Sequence, residues 1–175
     1  SAEAYTEQDI TIDAGDHQIP ATLTLPVSAS KDAKVPGVVM LHGTGSNRDE
    51  AGMGYALAAP RMAADGIATL RIDFMGNGDS TASYRDYNYT SAVIDAKAAA
   101  DYLAGLETVD GGNLGVMGWS QGGTDALPLK IGMDIETIQL GRTFKIGKAG
   151  QLIGNKSPDG PGGQKTLGPL RILCV

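Results

Sequence analysis

Apolar and polar residues alternate in the later part of 5–13 and again from Ile19 to Leu25, and then the alternation stops. In the later part of Tyr5–Asp13, Ile10 and Ile12 are separated by Thr11. Ile19, Ala21, Leu23 and Leu25 again occupy every second position. A period of two marks strands with one face in the core and one in water. Between the two runs, Ala14-Gly15-Asp16-His17 has the residue types of a turn. The two runs therefore predict an antiparallel hairpin, and Pro26 to Pro36 reads as a polar linker.

From Val35 to Leu41 the chain is continuously apolar, as expected of a strand buried on both faces. Tyr55 to Ala64 reads as a helix, with Pro60 near its first turn or at a kink and Gly66 as its stop. Ile67 to Asp73 is the next strand, and a loop rich in Gly, Asn, Asp and Tyr runs on to Tyr89. Thr90 or Ser91 is suited to cap the following helix, whose inner stripe is read as Ile94, Ala98, Tyr102 and Leu106. Asp110-Gly-Gly-Asn113 turns the chain into a third apolar strand, Leu114–Gly118. Strands alternating with helices at this spacing imply βαβ units. The expected fold is α/β, a mostly parallel sheet with helices on both faces and an N-terminal antiparallel hairpin.

After Ser120 the pattern fades. Gln121 to Leu127 is suited to start a helix, which Pro128 would stop. Thr137–Leu140 and Thr143–Ile146 have the composition of short strands, and 157–164 reads as loop. The charge changes sign here too. Residues 1–127 hold 7 Lys/Arg against 17 Asp/Glu, whereas 128–175 hold 7 against 3. The chain divides accordingly into a body, 1–127, and an atypical Gly-rich basic tail, 128–175.

Charge and composition exclude several functions. The acidic body does not suit nucleic acid, and the tail's charges are scattered without aromatics. No apolar run reaches the roughly 18 residues of a membrane span. No signal peptide is legible, and the compartment stays open. The lone cysteine, Cys174, makes no internal disulfide. Two histidines, His17 and His42, argue against a histidine-based metal site, and no cofactor is expected.

Three segments carry chemistry. Gly118-Trp119-Ser120-Gln121-Gly122 fits G-x-S-x-G between a buried strand and a helix-compatible segment. On such a turn, side chains two residues before and after the serine would collide, so both positions are glycine. The helix N-terminus behind the serine favours developing negative charge. His42-Gly43-Thr44-Gly45 follows the first parallel strand, and its loop lies at the carboxyl ends of the strands. There the backbone amides of Thr44 and Gln121 can converge on one oxyanion. His42 itself is the weaker candidate for proton transfer, since a His before Gly at a strand end more often orders the loop. Asp73-Phe-Met-Gly76-Asn-Gly78-Asp79-Ser80 lacks both phosphate-loop signatures and reads as a tight turn whose amides Asp73 and Asp79 satisfy.

With these segments in this order and at this spacing, the chain resembles the α/β-hydrolase superfamily over about residues 5–127. It is most similar to small cinnamoyl- and feruloyl-esterase-like and dienelactone-hydrolase-like proteins. The resemblance implies Ser120 as nucleophile, with the Thr44 and Gln121 amides holding the oxyanion. It also implies an acid and then a histidine after the nucleophile, yet no histidine follows Ser120. The tail is accordingly expected to be a truncated or out-of-frame end of a truncated or atypical α/β-hydrolase fold.

The functional expectation is hydrolysis of a small carboxylic ester through an acyl-enzyme on Ser120, weak because the general base is unassigned, with His42 the one nearby histidine. The alternative is a catalytically impaired fragment or pseudoenzyme that keeps the fold. A strand Leu114–Gly118 short of neighbours would expose a sheet edge, so a homo-oligomer through that edge or a swapped tail is expected, the alternative being substitute strands that the tail supplies within the monomer.

Overall fold

The computed structural model describes residues 4–123 and the strand backbones at 145–146, 152–153 and 171–174. Strands β1 (Tyr5–Asp13) and β2 (Gln18–Pro26) form the expected antiparallel hairpin, with Ile12 opposite Ile19 and Ile10 opposite Ala21. Strands β3 (Val35–Leu41), β4 (Ala68–Ile72) and β5 (Val109–Gly118) follow, with helix α1 (Gly54–Ala64) between β3 and β4 and helix α2 (Tyr89–Gly105) between β4 and β5. Two short strands, β6 (Lys145–Ile146) and β7 (Leu152–Ile153), pair antiparallel with each other, and β8 (Arg171–Cys174) closes the order. The main sheet runs β1-β2-β4-β3-β5-β8.

This sheet is mixed, and the expectation of a mostly parallel sheet is matched in part. β3 pairs in parallel with β4 and β5, and β5 with β8. β2, however, lies antiparallel to β4, so the hairpin extends the main sheet instead of standing beside it. The edge of β5 that the sequence leaves open carries β8, with Gly115 opposite Arg171.

The pattern of β3 decides the layering. Val39 and Leu41 point into one core with α2, and Val38 and Met40 into another with Tyr55 of α1 and Met117. Both helical faces of the sheet are therefore covered, as a continuous apolar strand requires. β2 is more buried than its alternation suggests. Its polar face holds Thr22 and Thr24, buried because their hydroxyls donate to Asp9 and Glu7 on β1.

Each helix is bounded by local chemistry. At the C-terminus of α1 the amide of Gly66, at φ 81°, donates to Ala63 and the Ile67 amide to Met62. This paired pattern needs a residue in the left-handed region, which glycine supplies. Pro60 sits in the middle of α1, not in its first turn. α2 is capped by Asn88, not by Thr90 or Ser91. The Asn88 side chain accepts from the Ser91 amide, and the Ser91 hydroxyl accepts from the Asn88 amide. Ser91 thus takes the third position of a capping box, because Tyr89 already lies inside the helix.

The inner face of α2 also differs from the expected stripe. Ala92, Ala96, Ala99, Ala100 and Leu103 are buried, while Ile94 is 50 % exposed. Small side chains let the helix lie close to the sheet: a Cβ at Gly37 of β3 would meet Leu103 at 2.9 Å. The bulky residues at i, i+4 were the visible signal, and the alanines carry the contact. Asp110–Asn113 does not end an element but protrudes from β5, where the register jumps from Val35 opposite Val109 to Gly37 opposite Leu114.

Of the tail, the expected strand at 143–146 corresponds in part to β6. The strand at 137–140, the loop at 157–164 and the end of the helix begun at Gln121 lie outside the described residues. Among the described residues no helix is long and apolar enough to cross a membrane.

Candidate active site

β3 and β5 end side by side, and the chain leaves β5 through Gly118 into a turn that a helix follows from Gln121. At the apex Ser120 has φ 53°, left-handed backbone that costs a non-glycine residue about 1–2 kcal/mol. The flanking glycines are required by contact. A Cβ at Gly118 would stand 2.3 Å from the Gly122 carbonyl, and one at Gly122 would stand 2.3 Å from the Leu41 carbonyl oxygen. The turn is also tied to β3, since the Trp119 amide donates to Leu41 at 3.0 Å. The result is an exposed serine held on strained backbone over the end of the sheet.

The loop after β3 runs against this turn. A Cβ at Gly43 would lie 3.4 Å from the Ser120 Cβ. The Gly43 amide donates to the Glu50 carboxylate at 3.1 Å, and the Thr44 hydroxyl donates to the Gln121 side-chain carbonyl. Among the described residues no acceptor takes the Thr44 or the Gln121 backbone amide. The carbonyls of those two peptide units are both engaged. Gly43 O accepts from the His42 ring, and Ser120 O accepts from the Gly123 amide. Because a trans peptide points its N–H opposite its C=O, each amide is turned away from its anchor.

His42 is fully buried, with its ring edge-on to Phe74. Nδ1 donates to Gly43 O at 2.6 Å, and Nε2 accepts from the Phe74 amide at 3.1 Å. The two partners fix the neutral tautomer, and burial lowers the pKa against the pull of the Gly43 carbonyl. With the Nε2 lone pair already occupied, the ring has none to offer Ser120. His42 stands as a support of the Gly43–Thr44 peptide, the loop-ordering place expected of a His before Gly at a strand end.

His17 closes the turn of the β1–β2 hairpin. β2 lies inside the sheet, and the hairpin turn packs on α2, where His17 stands 2.6 Å from Asp95 and 2.6 Å from Asp16. Both ring nitrogens face carboxylates. In the loop after β4, Asp73 does satisfy one turn amide, that of Asp79, and it also accepts the Arg48 amide from the loop after β3. The Asp79 carboxylate instead pairs with the Arg48 guanidinium. Glu50, Arg48 and the His17–Asp95 pair were not legible beforehand, because their partners lie 7 to 78 residues away. No group of three or more His, Cys, Asp or Glu among the described residues is placed to hold a metal.

The alpha/beta hydrolase family matches residues 38–152. This chain belongs to the alpha/beta hydrolase family. Among solved structures it is similar to Est1E of Butyrivibrio proteoclasticus, determined with ferulic acid bound. The identity is 25 %, over 71 % of this chain and 48 % of that one, with a TM-score of 0.63. An acetyl xylan esterase from a Paenibacillus species is 26 % identical over 73 % of this chain and 45 % of its own, with a TM-score of 0.62. A dienelactone hydrolase-like promiscuous phosphotriesterase from metagenomic libraries shares the fold at 23 % identity, over 72 % of this chain and 54 % of its own, with a TM-score of 0.59. The chain spans about half the length of these structures. Among curated proteins, none matches.

Proposed function

We propose that the chain is a serine hydrolase acting on carboxylic esters, with Ser120 as nucleophile and the backbone amides of Thr44 and Gln121 as the oxyanion hole. The observation that carries this reading is the strained Ser120 backbone between two glycines that tolerate no Cβ. Ser120 Oγ attacks the ester carbonyl and its proton passes to solvent. The carbonyl oxygen becomes an oxyanion that the two amides receive, and collapse breaks the ester C–O bond, expels an activated leaving group as its anion and leaves an acyl-serine. Water then attacks the acyl carbon and releases the acid.

The proton needs an acceptor about 3 Å from the hydroxyl. Neither histidine is free to take it, because His42 is held by Gly43 and Phe74 and His17 by Asp16 and Asp95. Turnover is accordingly confined to activated esters. Without a triad member, an oxyanion hole and binding still supply on the order of 10³–10⁴-fold over water. The same two engaged histidines favour a second reading, a catalytically impaired fragment or pseudoenzyme that keeps the fold.

Turnover of p-nitrophenyl acetate and butyrate by wild type and Ser120→Ala, with intact-mass detection of a fluorophosphonate adduct, tests the proposal. Slow turnover and a single adduct, both lost in Ser120→Ala, are expected. Equal turnover by both proteins would refute the serine mechanism. Adduct formation without turnover would favour the pseudoenzyme.

A further inference from the structure

The two amides assigned to the oxyanion come from loops far apart in sequence, and the Thr44 loop has little stiffness of its own. Thr44 stands between Gly43 and Gly45, and Gly45 has φ 68°. Glycine on both sides leaves the backbone free to swing, so the direction of the Thr44 amide depends on anchors. Two anchors act on the Gly43 side: the Glu50 carboxylate on the Gly43 amide and the His42 ring on the Gly43 carbonyl. Beyond them Ser46 closes the turn only through a 3.4 Å bond to Gly43 O. On the side of Ser120 the link is made by side chains, the Thr44 hydroxyl donating to the Gln121 carboxamide oxygen across 77 residues of sequence.

We propose that the Thr44 hydroxyl and the Gln121 side chain form a clasp that holds the two oxyanion amides in register, making both side chains positioning residues for the reaction. The inference rests on the reading of Ser120 as nucleophile. Thr44 is exposed and Gln121 partly so, which separates this role from that of a core contact. An exposed neutral hydrogen bond adds little to folding, because water replaces it in the unfolded chain. Its value here lies in geometry, since donors must be aimed before charge develops on the carbonyl oxygen. In the clasp the hydroxyl proton is given to Gln121. No bond to substrate is made by either side chain, and the substrate meets only the backbone amides.

Thr44→Val removes the donor and keeps shape and amide. Its kcat on p-nitrophenyl acetate and its rate of fluorophosphonate labelling at Ser120 are expected to fall together by about tenfold, the loss of one net hydrogen bond. KM and Tm stay near wild type, a split that a general loss of structure would not produce. Thr44→Ser, which keeps the donor, brings the rate back toward wild type. Gln121→Met matches Thr44→Val, and the double variant is no slower than either single one, since both break one bond. Amide hydrogen exchange at 43–46 accelerates in Thr44→Val whether or not the protein turns over ester. Labelling of Ser120 at the wild-type rate in Thr44→Val, or additive losses in the double variant, overturns the clasp and leaves the serine mechanism standing. Failure of wild-type Ser120 to label overturns the serine reading, and with it the clasp's catalytic role. Unchanged exchange at 43–46 overturns the clasp as a structural link.

Discussion

The Nε2 of His17 lies 2.6 Å from the Oδ1 of Asp95, and the other oxygen of that carboxylate accepts the Met75 amide at 2.8 Å. One contact thus joins the hairpin turn, α2 and the loop after β4. Burial alone would lower the His17 pKa, but the hydrogen bonds and charges of Asp16 and Asp95 outweigh it and raise it. Burial also raises Asp95. His17 holds its proton more tightly in the folded chain, so its stabilisation is full below the unfolded imidazole value, whereas for Asp95 the reference is the unfolded carboxylate value. Each share is lost as pH rises through the folded value. Asp16 acts the other way: its bond to His17 lowers its pKa, so its share is present above the ordinary carboxylate value and lost in acid. Urea midpoints should decline from about pH 6 to pH 9, and His17→Gln should flatten that decline. An equal slope in both proteins would remove this pair from the account.

Ser120→Gly should make the protein more stable while abolishing any labelling. Relief of the left-handed backbone at φ 53° is expected to exceed the entropy cost of glycine, a net gain of about 0.5–1 kcal/mol. Ser120→Ala, which keeps the Cβ, should show no such gain. Thermal unfolding of the two variants side by side measures the strain, and equal Tm values would mean that none is stored.

Gly122→Ala should be among the most damaging small substitutions in the chain. The new methyl would lie 2.3 Å from Leu41 O and 2.6 Å from His42 O, both backbone atoms that cannot rotate away. β3 and the turn must then separate, at a cost of about 2 kcal/mol or more. Gly52→Ala, with open space around it but φ 55°, provides the comparison: backbone strain without collision, and a smaller loss. Chemical denaturation ranks them, and equal losses would argue against the collision.

Arg48→Met should destabilise by about 3 kcal/mol, because it leaves the fully buried Asp73 carboxylate without its guanidinium. The Arg48 and Asp79 amides still reach Asp73, which keeps the loss short of the full charge penalty. In the double variant Arg48→Met/Asp73→Asn the loss should shrink, since the uncompensated charge is gone. A larger loss in the double variant would count against this pairing.

Sequence alone determined what depends on near neighbours. Alternation in β1 and β2, the continuous apolar run of β3, the Gly66 stop and the need for glycine at 118, which faces Gly122, each follow from positions within a few residues of the chain, whereas the need for glycine at 122 comes from Leu41 of β3. The place of Ser120 between strand and helix is local too. Tertiary structure decided the rest, because it depends on which strands become neighbours. The antiparallel join of β2 to β4 is a choice of partner, and it brings the His17 turn onto α2. The buried face of α2 follows from how close the helix approaches the sheet, which favours alanines over Ile94 and leaves Tyr102 partly buried against the core. The fate of His42 was decided by Phe74, 32 residues on, whose amide occupies the lone pair that proton transfer would need.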